Sequence, residues 1–551
     1  MLTRTAPVIA LAAGAFAAGA VLATQPGRDE HQLVTRYVRA WEHSDIVQMY
    51  SMLDSRSRAR TSEPAFAHAL EATADTATVT ALEPLHVASL QGNSISVRMI
   101  VTTKLWGVLH ETLAVPLRGS GSSARVRLTP QMLFPGLRPG ERIGRRITLP
   151  PRATILASDG ETLAQGSARS SPISDVAIQI VGTVGPIPPA LASHYAALGY
   201  PTGAQVGLDG LESIFQDRLA GALGGTLLAG HRVLARTRPM QAKPVRTTIV
   251  PALERAAVAS LGGQYAGMSV MDPRTGALEA LAGIAFSAVQ PPGSTMKIIT
   301  ATGALQAGIA TLGTTFPIMT GATIDGFTMQ NASGEACGGT LLNAFAVSCN
   351  SVFAPLGVKL GAARLVATAQ RFGFNQPPSI PGAAESTIPS AHTIGDALSV
   401  GSSAIGQGMV QTTPLEMADV AATIAMGGRR PIPTLLAGQT PRFTRVTPAK
   451  IAHEVQQTMV AVVQFGTGVS AQIPGVEVAG KTGTAELKDT STTNPNNPNA
   501  NNPKNTDAWF VGYAPVGDPK VVVGALFPNQ GAGGAVAAPP VRDVIAAALQ
   551  H

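Results

Sequence analysis

The chain reads as a multidomain α+β protein whose largest part is an antiparallel sheet sandwiched by helices. Three observations lead there. Its 551 residues exceed what one hydrophobic core supports and suggest about three domains. Short apolar runs of strand character, 266–271, 277–281, 508–515 and 520–527, lie at both ends of the C-terminal half. Stretches with helical apolar spacing, among them 450–465 and 541–549, lie between and after them.

From the N-terminus, Met1-Leu2-Thr3-Arg4 is a short, weakly positive head. Residues 6–23 carry no charge and are long enough to cross a bilayer as a helix, so the chain is expected to be membrane-targeted. Val21-Leu22-Ala23-Thr24-Gln25 is a fair cleavage site, which leaves a retained anchor and a cleaved signal as alternatives, with the anchor preferred. The segment holds no cysteine for lipid attachment. A net charge of +7 is modest for this length, and no dense Lys/Arg block with interleaved aromatics occurs, so nucleic acid is not expected as a partner.

Residues 26–136 read as a small α+β domain. Leu33, Tyr37, Val38 and Trp41 share one face of a helix over 31–50, and 95–103 and 112–117 alternate like strands. Trp41 and Trp106 are expected in its core. Residues 137–245 are Gly- and Pro-rich, with short strand-like pieces. A third domain, 246–551, opens with a helix that has Pro251 near its first turn. It continues with a hairpin, 266–281, turning at Asp272-Pro273-Arg274-Thr275-Gly276. Thr413-Pro414 caps a further helix just after Gly406-Gln407-Gly408, and the Asn/Pro-rich stretch 491–505 is too polar to pack.

Chemistry concentrates in three stretches of the third domain. In Pro291-Pro292-Gly293-Ser294-Thr295-Met296-Lys297, a turn runs into an apolar helical segment, so Ser294 and Lys297, three apart, share a helix face. That pairs a hydroxyl nucleophile with an amine base. Such a pattern also occurs by chance as a capped helix with a surface lysine. Ser348-Cys349-Asn350 and Lys481-Thr482-Gly483-Thr484-Ala485-Glu486 follow in the chain. Only nine of the forty basic residues are lysines, yet one stands in the first stretch and one in the third. Arginine cannot give up its proton, so a position that must act as a base has to be lysine.

By the order and spacing of these three motifs the chain resembles the penicillin-binding proteins, and the resemblance implies the fold those enzymes share with the serine β-lactamases. Residues 151–164 are similar to the Arg-Gly-x-Ile-x-Asp-Arg-x-Gly-x-x-Leu-Ala signature of the pedestal, or dimer, domain, with Ala153 for the glycine and Ala157 for the aspartate. Gly207-Leu208-Asp209-Gly210-Leu211-Glu212 is similar to that domain's Gly-x-x-Gly-Leu-Glu. The position of 26–136 resembles that of the nuclear-transport-factor-two-like domain preceding the pedestal in some class B members. The stretch before the pedestal leaves no room for a glycosyltransferase domain.

The resemblance implies a peptidoglycan D,D-transpeptidase. Ser294 would attack the bond between two D-alanines of a stem peptide, Lys297 would take its proton, and Ser348 with Lys481 would pass it to the leaving group. Asn350, Thr482, Gly483 and Thr484 would hold the substrate, and the backbone N–H groups of Ser294 and Thr484 would form the oxyanion hole. No cofactor or metal is needed. Stem peptides, β-lactams, the membrane and proteins of wall-synthesis or division complexes are the implied partners, with the bulk of the chain extracytoplasmic. Cys337 and Cys349, the only two cysteines, are expected to form a disulfide in an oxidising compartment, with two buried free thiols as the alternative. A serine β-lactamase or carboxypeptidase, and a non-enzymatic β-lactam sensor or division scaffold, share the same motifs.

Overall fold

The computed structural model describes residues 27–488 and 502–551. The expected membrane segment, 1–25, and most of the Asn/Pro-rich stretch, 491–505, lie outside the described residues. Asn505, expected in that stretch, is buried and donates to the Lys488 carbonyl at 3.1 Å. Among the described residues no single helix is long and apolar enough to cross a membrane.

The chain forms two compact units. The first comprises residues up to Leu149 with Pro189–Thr202 and Leu223–Pro239; the second holds Pro150–Pro188, Gly203–Ala222 and the rest. This division cuts through 137–245, read from the sequence as one segment. The reason is strand pairing: Ile143–Thr148 pairs with Gly224–Ala229, which pairs with Arg232–Thr237, all in the first unit.

In the first unit, strands Val79–Val87, Ser94–Thr103, Gly107–Arg118 and Arg125–Val126 form one antiparallel sheet in chain order. Ile95, Val97, Met99 and Val101 all face its buried side, as a period of two requires, each contributing about 1.5–3 kcal/mol by burial. Where one helix was expected over 31–50 there are two, Arg28–Glu42 and Ile46–Ser51. The break comes at Ser44 and Asp45: Ser44 takes a left-handed φ of 57°, and the Asp45 carboxylate accepts from Gln48 N at 2.9 Å, starting a new helix. Helices Ser55–Arg60 and Glu63–Ala77 follow. Trp41 and Trp106 are buried.

The second unit is built on a five-stranded antiparallel sheet in the order Ala277–Gly283, Gly267–Asp272, Val521–Phe527, Thr506–Ala514, Ala479–Glu486. Alternate residues feed two cores. Met271, Leu278, Trp509, Val511 and Leu526 pack with helices Lys297–Gln306 and Pro414–Ala425. Met268, Val270, Phe510, Val523 and Phe527 pack with helices Pro251–Leu261 and Ala538–Ala548 on the other face. Thr413 caps Pro414–Ala425, accepting from Glu416 N at 3.1 Å. Also in this unit, Arg152 and Arg169 each lie 2.5 Å from opposite oxygens of the fully buried Glu212 carboxylate. Removing a partner from such a pair strands a buried charge and typically costs 3–5 kcal/mol, roughly. The two pedestal-like segments are therefore tied by charge.

Candidate active site

The Pro291–Lys297 stretch folds into a 3₁₀ turn, Gly293–Met296, that runs straight into helix Lys297–Gln306. Gly293 takes φ 52°, and a Cβ there would lie 2.8 Å from the Thr484 carbonyl carbon and oxygen. Only glycine lets the Ser294 turn come that close to the sheet-edge strand Ala479–Glu486. On the facing side, a Cβ on Gly483 would sit 2.7 Å from the Pro292 carbonyl oxygen and 2.8 Å from Trp509 Cβ.

Lys297 Nζ lies 3.0 Å from Ser294 Oγ, as the i, i+3 spacing predicts. Its other neighbours come from far along the chain: the Ser348 carbonyl at 2.7 Å, Asn350 Oδ1 at 2.7 Å and Ser348 Oγ at 3.3 Å. Ser348 sits between helices Leu341–Ala346 and Asn350–Leu360 with a left-handed φ of 62°, a conformation costing a non-glycine residue about 1–3 kcal/mol. Asn350 is the first residue of its helix. Its amide donates to the Gln330 carbonyl at 2.9 Å, which orients Oδ1 toward Lys297.

Lys481 Nζ donates to Ser348 Oγ at 2.9 Å and to the Thr482 carbonyl at 3.0 Å. Ser348 thus links the two lysines. Both are fully buried, with Phe353 and Phe345 rings 5.7 and 5.5 Å from their respective amines. Burial pushes Lys481 down to about 7. It pushes Lys297 well below the usual lysine range, with repulsion from Lys481 as the second cause. Desolvation is thus the larger lever on Lys297 and charge repulsion the smaller one.

A neutral Lys297 fits its surroundings. The Ser348 carbonyl and Asn350 Oδ1 can only accept, so they take the two N–H groups of the amine, and its lone pair is left for the Ser294 hydroxyl. The third stretch forms the sheet edge: Thr482 Oγ1 is 2.5 Å from Thr467 Oγ1, and Thr484 Oγ1 accepts from Gly533 N at 3.3 Å. One side of this strand pairs with Thr506–Ala514, and its other side faces the Ser294 turn. An extended peptide could add there as a further strand. Cys337 and Cys349 are joined by a disulfide, which ties Ser348-Cys349-Asn350 to strand Cys337–Thr340.

The structure therefore brings Ser294, Lys297, Ser348, Asn350 and Lys481 together beside Thr482, Gly483 and Thr484. Residues 266–546 match the penicillin binding protein transpeptidase domain, slightly more than half of the chain, and 157–233 match the penicillin-binding protein dimerisation domain. The chain belongs to the penicillin-binding protein transpeptidase family. With both domains it is a class B penicillin-binding protein. It is 40% identical over 295 residues to the peptidoglycan D,D-transpeptidase PbpA of Mycolicibacterium smegmatis, covering 48% of this chain and 56% of that one. It is 26% identical over 442 residues to the peptidoglycan D,D-transpeptidase MrdA of Acinetobacter baumannii, covering 68% and 65%. The chain thus matches little more than half the length of its PbpA relatives. Among solved structures, penicillin-binding protein A of Mycobacterium tuberculosis as its penicillin G acyl-enzyme superposes with a TM-score of 0.58 at 27% identity, covering 73% of this chain and all of that one.

Several residues of this penicillin-binding protein's site escaped the sequence. Thr467 had no local signal. Gly406 was visible as part of a turn, but only the fold places it against Gly293, whose N–H donates to the Gly406 carbonyl at 3.0 Å. With its amide oriented to satisfy both groups, Gln407 bridges the backbone N–H and C=O of Glu486 at 3.0 and 3.3 Å. The Gly406-Gln407-Gly408 turn thereby clamps the Ser294 turn to the edge strand.

Proposed function

We propose that this chain is a peptidoglycan D,D-transpeptidase that cross-links stem peptides through an acyl-enzyme on Ser294 and is acylated at the same hydroxyl by β-lactams. The observation that carries this is Lys297, fully buried, 3.0 Å from Ser294 Oγ and pushed toward its neutral form. Ser294 attacks the carbonyl of the D-Ala-D-Ala bond as its proton passes to Lys297. Backbone N–H groups of Ser294 and Thr484 hold the oxyanion, a device in which losing one donor costs about 10²–10³ in rate. The proton travels through Ser348, between the two lysines, to the departing amine, and D-alanine leaves. Thr482 and Thr484 with Lys481 take the terminal carboxylate, and Asn350 orients the substrate amide. The amine of a neighbouring stem peptide then attacks the ester and forms the cross-link.

The same reading gives 137–245 a pedestal role and 26–136 a nuclear-transport-factor-two-like fold. It places residues 1–25 in the membrane with the bulk of the chain extracytoplasmic, where wall-synthesis or division proteins would meet it. Hydrolysis of a penicilloyl ester needs a group to activate water, commonly a carboxylate in class A lactamases. The hydrogen-bond partners of Lys297 and Lys481 are hydroxyls, carbonyls and one amide, which favours a long-lived ester. In a test with the full chain, penicillin should label Ser294 alone by peptide mass spectrometry and the label should persist for many minutes. D-Alanine release from a stem pentapeptide should depend on an added acceptor amine. A label surviving in Ser294→Ala would sink the site, and rapid penicillin turnover with water as preferred acceptor would move the protein to the hydrolases.

A further inference from the structure

Thr467 belongs to none of the three motifs, yet it is bonded beside two of them. It lies just beyond helix Ala449–Gln464, in a segment drawn against the approach to Ser348. Its N–H donates to the Ala346 carbonyl at 3.0 Å, and a Cβ on Gly466 would overlap that same oxygen. Its hydroxyl turns the other way, to Thr482 Oγ1 at 2.5 Å. Thr467 is exposed and Thr482 is buried, so the pair runs from the protein surface to the sheet edge.

The bonds around the two motif threonines can be given a direction. A hydroxyl has one proton to give and lone pairs with which to accept. Gly533 N–H can only donate, and it fills a lone pair of Thr484 Oγ1 at 3.3 Å, which leaves the Thr484 proton available. Between Thr467 and Thr482 either oxygen can be the donor. If Thr482 gave its proton to Thr467, none would be left for an anion beside the strand. If Thr467 gives, the Thr482 proton is free. An anion decides between them, because a hydrogen bond to a carboxylate is roughly twice as strong as one to a neutral hydroxyl.

We propose that Thr467 is a positioning residue for carboxylate recognition: its hydroxyl donates to Thr482 Oγ1 and turns the Thr482 proton toward the terminal carboxylate of the acyl donor. This rests on the transpeptidase reading and adds the origin of the pocket's preference for an anionic end. Thr482 and Thr484 then meet the carboxylate as two donors already aligned by the protein, so little reorganisation is needed when the anion arrives. A neutral end, a weaker acceptor, gains less from the same alignment. Because the Thr467 backbone is bonded to the chain two residues before Ser348, one residue keeps the carboxylate pocket in register with the proton relay.

The test compares acylation of the full chain by benzylpenicillin and by its methyl ester, followed by intact-protein mass spectrometry. Wild type should prefer the carboxylate. Thr467→Val removes the hydroxyl and keeps the shape. It should cut the ratio of the two second-order rate constants at least about tenfold, the size of a lost bond that serves a charged group. The ester rate should stay within about twofold and the melting temperature should not move, since a residue acting only on the carboxylate leaves the neutral probe untouched. Thr467→Ser should bring the ratio back to within about threefold of wild type. If Thr467→Val folds poorly, Thr467→Ala carries the same expectation. An unchanged ratio in the folded variant, an equal fall for both probes, or a serine variant no better than valine would overturn the assignment. No acylation of wild-type Ser294 by either compound would overturn the transpeptidase reading, and this inference with it.

Discussion

Lys297 donates to Asn350 Oδ1 at 2.7 Å across 53 residues of chain, joining helix Lys297–Gln306 to the Ser348-Cys349-Asn350 stretch. In the proposed mechanism this bond occupies one N–H of an amine whose lone pair serves Ser294, so the proposed base is aimed by its neighbours as well as placed by its own helix.

Lys297→Arg keeps a positive charge and removes the base. Acylation by a fluorescent penicillin should fall at least about a thousandfold, since a guanidinium does not deprotonate and its fork cannot fit the pocket of Ser348 and Asn350. A rate near wild type would remove Lys297 from the mechanism.

Both buried lysines make the protein sensitive to pH in a stated direction. Lys481 titrates at about 7 in the folded chain, against roughly 10.4 when unfolded. Between those values the unfolded chain binds a proton that the native chain does not, so this group makes stability rise with pH from about 7 to about 10 and leaves it flat below. In urea titrations, subtracting the curve of Lys481→Met should leave that rising component. Acylation should drop at acid pH, once Lys297, which burial and the nearby Lys481 hold well below the usual lysine range, regains its proton. A pH-independent difference between wild type and Lys481→Met would refute the burial argument.

Gly293→Ala forces a Cβ to within 2.8 Å of the Thr484 carbonyl at a backbone φ of 52°. The turn must move away from the edge strand, separating Ser294 N–H from Thr484 N–H. Acylation should fall by about 10²–10³, the usual cost of spoiling an oxyanion donor, with a smaller loss in melting temperature. Wild-type kinetics in this variant would show that the two N–H groups do not act together.

The disulfide closes a loop between residues 12 apart in sequence. Chain entropy predicts that Cys337→Ala/Cys349→Ala loses about 2–4 kcal/mol of stability. Because Cys349 lies between Ser348 and Asn350, the acylation rate should fall as well. Unchanged melting and kinetics would mean that the helices on either side hold the motif unaided.

What was legible in the sequence was local. The reach of Lys297 to Ser294 follows from three-residue spacing on a helix, the Thr413 cap from a hydroxyl before a proline, and the strands from period-two burial. The helix expected over 31–50 broke because Ser44 and Asp45 offered the backbone a competing bond, a close contest that propensity does not decide. Among the described residues, tertiary structure decided the rest. The Ser348–Lys481 bond spans 133 residues and depends on sheet register, which no local pattern encodes. The assignment of Ile143–Thr148 to the first unit likewise depends on a distant partner strand. Above all, the sequence placed two lysines in motifs but could not show that both would lose all contact with water. That desolvation, imposed by the two phenylalanine rings and the packed sheet around them, is what makes a lysine a base near neutral pH.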